Sequence, residues 1–171
     1  KKFTYYESGE LNQETFEKKD ESLNVKSGFL ISYKKNGDIL SKVEYRNDKP
    51  WEGTFISFNE NGERDEINYK NGKKSGRSVS YWNNENLKYD TEYKNGVIHG
   101  SFKSFHKNGK LKSESNYVNG NFNGSVDYIY DKNYGESELI LIKYINKDYG
   151  VFKTINFTDG QISSEINYKG F

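Results

Sequence analysis

The ten residues YKNGVIHGSF, from Tyr93 to Phe102, place two glycines and an Asn-Gly pair between aromatic residues. Close copies lie on both sides: YKNGKKSGRSV begins at Tyr69, and YVNGNFNGSV begins at Tyr117. All three share the pattern Tyr-x-Asn-Gly-x-x-x-Gly. A motif copied in this way is typical of repeat architectures, in which one supersecondary unit is stacked on the next.

The repeat has a period of about 24 residues. Counting from the glycine that opens each repeat, successive steps are 25, 23, 24, 24 and 26 residues. These opening glycines are Gly28, Gly53, Gly76, Gly100, Gly124 and Gly150. We expect one repeat domain over residues 1–171. Its repeats are 1–27 (a shortened first one), 28–52, 53–75, 76–99, 100–123, 124–149 and 150–171.

A turn signal lies in the middle of most repeats. The pairs are Asn36-Gly37, Asn61-Gly62, Asn108-Gly109 and Asp159-Gly160. Asn-Gly and Asp-Gly accept the positive φ angles of type I′ turns, so between β-prone residues they predict tight hairpins. One repeat carries Asn84-Glu85 at this place, which predicts a looser turn.

The second half of each repeat alternates with a period of two and ends at a tyrosine. Counting back from Tyr45 gives Val43 and Ser41, with Lys42 and Glu44 between them. This alternation predicts a strand with one apolar-aromatic face and one charged face. The closing tyrosines, which we expect to form a structural ladder, are Tyr45, Tyr69, Tyr93, Tyr117, Tyr144 and Tyr168.

These signals predict an all-β fold, an elongated antiparallel meander of about seven stacked β-hairpins in a single-layer twisted sheet. Isolated hairpins are marginal in water, so each must pack on its neighbours. The opening glycines mark places where backbones crowd together or a bulge is needed. We expect about fourteen strands, a charged connector at residues 17–27 and a longer turn at residues 131–138.

Composition favours a thin fold over a thick aliphatic core. Only 32% of the residues are hydrophobic, aromatic residues make up 16% of the chain, and the mean hydropathy is −1.05. Tyrosine and phenylalanine tolerate half-buried positions, and their abundance argues against disorder. The net charge of +1 is spread along the chain, which disfavours nucleic-acid binding. No apolar run approaches the roughly 20 residues of a membrane-spanning helix.

No group of residues predicts catalysis, so we expect no enzyme, no cofactor and no metal site. His99 and His106 are the only histidines, and we assign both to the surface. The segment DKNYGESE at residues 131–138 lacks the spacing of a calcium loop and predicts a solvated turn. The serine or threonine four residues after most opening glycines predicts a small residue where hairpins approach closely.

A column of residues six places after each opening glycine is the candidate binding surface. It presents Trp82, His106 and Tyr130 in succession, and rows of surface aromatics are typical of interaction sites. The alternative is a second small apolar layer under a curved sheet. The full column is Lys34, Asn59, Trp82, His106, Tyr130 and Asn156.

The pattern G-x-Φ-x-x-Y/F-x-x-N-G-x-L-x-x-x-x-x-Y-x-N-G-K-x-x-G resembles the MORN repeat, in particular the bacterial variant of antitoxin-like and surface-associated proteins. The resemblance covers residues 28–171 well and residues 1–27 loosely. It implies an all-β scaffold of stacked hairpins for protein partners, with membrane lipid as the ligand of some relatives. The family has no catalytic motif to carry over.

Two hypotheses on function follow. The first is a non-enzymatic scaffold for protein–protein interaction, antitoxin-like or immunity-like, or related to cell-surface adhesion. The second is a cell-envelope module that binds glycan or lipid through repeated aromatic side chains. The chain begins at Lys1 and contains no methionine, from which we expect a removed upstream segment and favour a secreted or envelope location. The oligomeric state and the identity of the partner stay open.

Overall fold

The computed structural model describes residues 1–20, 25–130, 138–148 and 150–168, and all regular structure in these ranges is β-strand. The all-β prediction is confirmed. The strands are β1 (Lys2–Tyr5), β2 (Leu11–Asp20), β3 (Val25–Tyr33), β4 (Ile39–Arg46), β5 (Lys49–Phe58), β6 (Arg64–Lys70), β7 (Lys73–Lys74), β8 (Gly76–Tyr81), β9 (Leu87–Lys94), β10 (Val97–Phe105), β11 (Leu111–Val118), β12 (Asn121–Tyr130), β13 (Leu139–Asn146), β14 (Gly150–Thr158) and β15 (Gln161–Asn167).

The chain divides into two compact units, residues 1–78 with 93–96 and residues 79–92 with 97–171. In the first unit, β1 to β6 follow chain order, each antiparallel to the next, and β7 pairs with β6. In the second unit, β10 to β15 follow the same order. Strands β8 and β9 each contain residues of both units. The predicted antiparallel hairpin meander is therefore confirmed within each unit.

The described ranges contain fifteen strands rather than about fourteen. The additional strand is β7, whose two lysines pair with Tyr69 and Lys70. Ser75, whose N–H donates to the Asn68 carbonyl at 2.9 Å, separates it from β8, which begins at Gly76.

The predicted charged connector at residues 17–27 is wrong where the structure describes it. Strand β2 continues through Asp20, β3 begins at Val25, and Glu17 lies opposite Gly28. The ammonium of Lys26 lies 3.4 Å from the Glu17 carboxylate and 3.0 Å from that of Asp48. Charged side chains therefore extend this hairpin because they pair across it. The predicted longer turn lies outside the described residues except for Glu138.

Most turns inside the repeats are not the predicted type I′ turns. In the turn at Gly37, the N–H of Gly37 donates to the Lys34 carbonyl at 2.9 Å, and the N–H of Lys34 donates to the Asp38 carbonyl at 2.8 Å. Only the glycine has a positive φ, 89°, because Asn36 instead accepts the N–H of Asp38. This is a type I turn followed by a bulge glycine. The same single positive φ occurs at Gly62 and Gly109, whereas Asp159-Gly160, with φ of 50° and 73°, confirms type I′.

The turn at Asn84-Glu85 is not looser than the others. The N–H of Glu85 donates to the Trp82 carbonyl at 3.0 Å, and Glu85 takes a φ of 64° where other repeats have glycine. The side-chain amides of Asn84 and Asn86 both donate to the Lys107 carbonyl, at 2.8 and 2.7 Å. These bonds to the neighbouring hairpin hold the turn in shape despite the strained residue.

The Asn-Gly pairs of Tyr-x-Asn-Gly form the true type I′ turns, with positive φ at both residues. Each glycine N–H also bonds to the backbone of an earlier strand. Gly72 donates to the Trp51 carbonyl of β5 at 2.9 Å, and Gly120 donates to the Ile98 carbonyl of β10 at 2.8 Å. Gly96 donates to the Lys74 carbonyl of β7 at 2.8 Å. The repeated motif therefore links each turn to the strand that follows the turn before it.

Three opening glycines, Gly28, Gly53 and Gly124, lie against crowded backbone as predicted, whereas a Cβ at Gly76 or Gly150 would meet nothing within 4 Å. Several opening glycines lie inside strands rather than at their start. Gly53 lies in the middle of β5, opposite both Val43 and Tyr69. A Cβ atom there would lie 2.3 Å from the Lys42 carbonyl oxygen. No real side chain tolerates that distance, so only glycine fits between these strands.

The core is as thin as composition predicted. Among the described residues, the buried hydrophobic side chains are Val43, Ile56 and Val79. Small polar residues share the buried positions, and the hydroxyls of Ser104 and Ser113 lie 2.7 Å apart across a strand pair. The buried polar residues are Ser32, Ser41, Ser78, Thr91, Ser104 and Thr154. Small side chains therefore let neighbouring strands approach, as expected, although Ser57 and Ser80 of the same column are only half-buried.

The tyrosine ladder is observed where the register is regular. Tyr45 meets Phe55 edge-on at 6.3 Å, and Tyr117 meets Phe102 and Phe122 at 6.3 and 5.8 Å. Closing tyrosines pair with the opening glycine of their repeat at Gly28, Gly53 and Gly100. Tyr144 instead pairs with Val126, two residues beyond Gly124, so the fifth full repeat is irregular as predicted.

The strained turn gives the first prediction. Replacing Glu85 with glycine removes the roughly 1–2 kcal/mol cost of a left-handed side-chain-bearing residue. Glycine also has more conformational entropy in the unfolded chain, which lowers the free energy of unfolding by about 0.5–1 kcal/mol. Loss of the contacts of the exposed Glu85 side chain changes it little. We expect Glu85→Gly to raise the free energy of unfolding by about 0.5–1 kcal/mol, measured by urea denaturation. A lower midpoint would contradict the assigned strain.

The crowded glycine gives a second prediction with a matched control. Gly9 has a φ of 96°, and a Cβ added there would meet nothing within 4 Å. Gly53 has a φ of 100°, and a Cβ added there would lie 2.3 Å from the Lys42 carbonyl oxygen. Gly9→Ala should cost only the backbone strain, about 1 kcal/mol. Gly53→Ala should cost about 1–3 kcal/mol more, because β4 and β5 must separate. Equal losses in thermal or urea unfolding would show that the close approach is unimportant.

Candidate binding surface

Four of the six residues of the predicted column occupy one structural position, the first residue of the turn inside their repeat. Lys34, Asn59, Trp82 and His106 each donate their N–H to the carbonyl four residues later and accept from the N–H three residues later. Tyr6 does the same, with bonds to Glu10 and Gly9 of 2.9 Å each. Sequence reasoning missed Tyr6, although Gly9 follows it by three residues as Gly37 follows Lys34.

Asn156 does not belong to this column. It lies within β14, and its amide donates to the Ser164 hydroxyl at 2.8 Å. The last turn is formed by Asp159 and Gly160, since Thr158 pairs with Gln161. Counting six residues from the opening glycine therefore fails here because β14 continues to Thr158, eight residues beyond Gly150, whereas β3, β5 and β10 end five residues beyond theirs. Tyr130 ends β12, next to residues outside the described ranges.

Column side chains reach the backbone of the next repeat. The Tyr6 hydroxyl donates to the Tyr33 carbonyl at 2.7 Å, and the Trp82 indole N–H donates to the Phe105 carbonyl at 3.2 Å. Each acceptor immediately precedes the next column residue, Lys34 or His106. The His106 ring meets the Tyr130 ring edge-on, with centroids 5.6 Å apart. Trp82, His106 and Tyr130, all half-buried, therefore join consecutive repeats.

A cleft of about 390 Å³ lies beside Trp82, wholly within the second compact unit. We call it the Trp82 cleft. It brings together Trp82 and His106, two of the three predicted binding residues, and Tyr130 is not among its lining residues. The lining residues are Trp82, Tyr89, Ser104, Phe105, His106, Lys107 and Lys112.

Tyr89 is the most exposed aromatic side chain of the cleft, with 39% of its surface accessible. Its ring is tilted by 33° against Phe102, with centroids 5.5 Å apart, so its position is fixed by packing. Sequence reasoning missed it. The available signal was an aromatic residue at a position that other repeats fill with a small or acidic residue. Those residues are Ser41, Asp65 and Ser113.

Lysine side chains surround these aromatic rings. The Lys88 ammonium lies 4.4 Å from the Trp82 ring centroid and 5.6 Å from that of Tyr89. The Lys107 ammonium lies 5.4 Å from the Trp82 ring, and that of Lys110 lies 4.8 Å from the Tyr130 ring. Such cation–π contacts hold positive charge over the aromatic faces. Burial, with a smaller contribution from Tyr128, raises the pKa of Tyr130, which keeps its phenol neutral.

The remaining sequence candidates lie elsewhere. The N–H of Asn119 donates to the Nδ1 of His99 at 3.3 Å. Glu52, which precedes an opening glycine as His99 does, accepts the N–H of Asn71 in the same way. His99 therefore supports a type I′ turn. Within the ranges that the structure describes, no three His, Cys, Asp or Glu side chains are grouped for a metal ion, and no helix could cross a membrane. Of the segment 131–138, only Glu138 is described.

The bonds from the column give a third prediction. Tyr6→Phe keeps the ring and removes one hydrogen bond, whereas Trp82→Phe removes one hydrogen bond together with part of the indole. We expect Tyr6→Phe to lower the free energy of unfolding by about 1 kcal/mol, the usual net value of such a bond, and Trp82→Phe to lower it by more, because ring contacts are also lost. Chemical denaturation measures both. If neither variant is destabilised, the column does not join the repeats through these donors.

Comparison with known proteins supports the resemblance in one segment. The model of the MORN repeat variant family matches residues 98–119, which include β11 and most of β10. No curated protein matches the chain. A porin-like protein from Bacteroides uniformis ATCC 8492 is 8% identical to this chain, with 92% of this chain and 96% of that chain covered. Its TM-score is 0.22. The family match is confined to residues 98–119, and repeats of this variant often have protein-binding roles.

Proposed function

We propose that the protein is a non-enzymatic repeat scaffold that binds a protein partner at the Trp82 cleft. The observation that carries the proposal is the exposed Tyr89 ring beside Trp82, in a cleft bordered by lysines. Tyrosine and tryptophan are enriched among the residues that dominate the energy of protein interfaces. They present large contact areas and lose little conformational entropy on binding.

The side chains of the cleft are held in place before any partner arrives. Trp82 is fixed by its bond to the Phe105 carbonyl, and Tyr89 by the Phe102 ring. Ordered side chains at a binding site reduce the entropic cost of association. A preorganised aromatic pair therefore favours specific binding.

The fold itself does not require an aromatic side chain at position 89. Equivalent strands have Ser41 and Ser113 there and form the same hairpins. An exposed ring that the repeat does not need favours a role in recognition. The column residues are different, since Trp82 and His106 also join repeats.

The finer forms of this proposal are an antitoxin-like or immunity-like role and a role in cell-surface adhesion. Their support is the resemblance to the bacterial variant repeat. Binding of glycan or lipid through the same aromatic side chains is the alternative, and the experiment below separates it from binding of a protein.

Photo-crosslinking tests the proposal directly. Benzoylphenylalanine in place of Asn83, an exposed turn residue next to Trp82, should crosslink a specific protein in extracts of the source cells. Tyr89→Ser, which installs the residue of other repeats, should abolish the crosslinked product. Phe58→Ser, which changes an exposed aromatic outside the cleft, should leave it intact.

Circular dichroism should show the same β signal for both serine variants. A crosslinked product of unchanged yield in Tyr89→Ser, or products that contain only glycan or lipid, would contradict binding of a protein partner at this cleft.

A further inference from the structure

We propose that the segment bound at the Trp82 cleft is acidic, an extended stretch of the partner rich in aspartate and glutamate. This inference rests on the proposed function and names the chemistry of the partner. It follows from the charges of the cleft and from where they lie relative to its aromatic rings.

The lining of the cleft is positive. Its seven residues include Lys107 and Lys112, both exposed, and no carboxylate. Lys88 adds a third ammonium above the Trp82 ring. The chain as a whole is nearly neutral, with 26 basic and 25 acidic residues, so this grouping is local rather than a consequence of composition.

Nearby carboxylates already have interactions within the protein. Glu114 lies across the strand pair from Lys103, and its carboxylate accepts from that ammonium at 3.3 Å. Glu85 and Asp90, which flank this part of the chain, also have internal interactions. Lys88 has a further interaction within the protein as well. Lys107 and Lys112 of the lining are therefore the ammonium groups that are complementary to carboxylates supplied from outside.

The spacing of the groups suits carboxylates on a peptide. The Lys107 ammonium lies 5.4 Å from the Trp82 ring centroid, so a carboxylate bound to it would lie beside the indole. Ammonium–carboxylate bonds are charge-assisted and stronger than neutral ones. Because the indole N–H is used internally, the lysines and the Tyr89 phenol are the groups that meet the ligand.

Fluorescence anisotropy of a labelled oligoglutamate peptide tests the inference on the purified full chain. Oligoglutamate should bind and oligoglutamine of the same length should not. Affinity should fall steeply as salt rises from about 0.05 to about 0.5 M, since exposed charges are screened. The double variant Lys107→Glu with Lys112→Glu should weaken binding at least about tenfold, because two attractions become repulsions.

The matched control is Lys49→Glu with Lys70→Glu, which reverses two exposed lysines of the first compact unit and gives the same net charge. It should change the affinity less than about threefold. Equal losses in the two double variants would show that net charge, not the cleft, attracts the peptide, and would overturn the inference. Equal binding of oligoglutamine would overturn it as well.

Two further probes separate other anionic ligands. Phosphatidylglycerol vesicles and heparin are measured with the same variants, and binding of either that depends on Lys107 and Lys112, without binding of oligoglutamate, would overturn the acidic-peptide assignment. Failure of every anionic probe, together with a protein crosslink lost in Tyr89→Ser, would reject the acidic segment and leave the proposed function in place.

Discussion

The structure depends on one repeated constraint, a backbone hydrogen bond from a turn glycine to a carbonyl of the strand that follows the preceding type I′ turn. Gly72, Gly96 and Gly120 each donate such a bond. Only three hydrophobic side chains among the described residues are fully buried, so apolar burial is spread over half-buried aromatic and aliphatic side chains. Hydrogen bonds between hairpins and close packing of small side chains add to it.

Crowded glycines and buried serines both allow neighbouring strands to lie close together. Gly53 fits against the Lys42 carbonyl, and Ser104 faces Ser113 across a strand pair. The candidate site arises where a repeat departs from this pattern. Tyr89 replaces a serine, Glu85 replaces a glycine, and Trp82 spans to the next hairpin. The Trp82 cleft therefore lies where a repeat departs from the regular pattern.

Sequence periodicity predicted the hairpins, the closing tyrosines and the crowded glycines, because each depends on local backbone preference or on a period of two. It assigned the wrong turn type at Gly37, since one positive φ followed by a bulge satisfies the same Asn-Gly pair. It placed Trp82 and His106 at a common surface, and the structure brings them to one cleft. The grouping of Tyr89 with the lysines was not predicted, because it depends on which side chains of neighbouring hairpins lie close together in space.

The sequence by itself determined that the chain forms antiparallel hairpins about 24 residues apart, since glycine, asparagine and alternating residues restrict the backbone locally. The tertiary structure alone decided how those hairpins meet. It set the bonds from Asn84 and Asn86 that hold Glu85 at a positive φ, and the ring and ammonium contacts around Trp82. These contacts join residues about 20 positions apart or place charge over a ring. Only the register between neighbouring strands brings such groups within bonding distance.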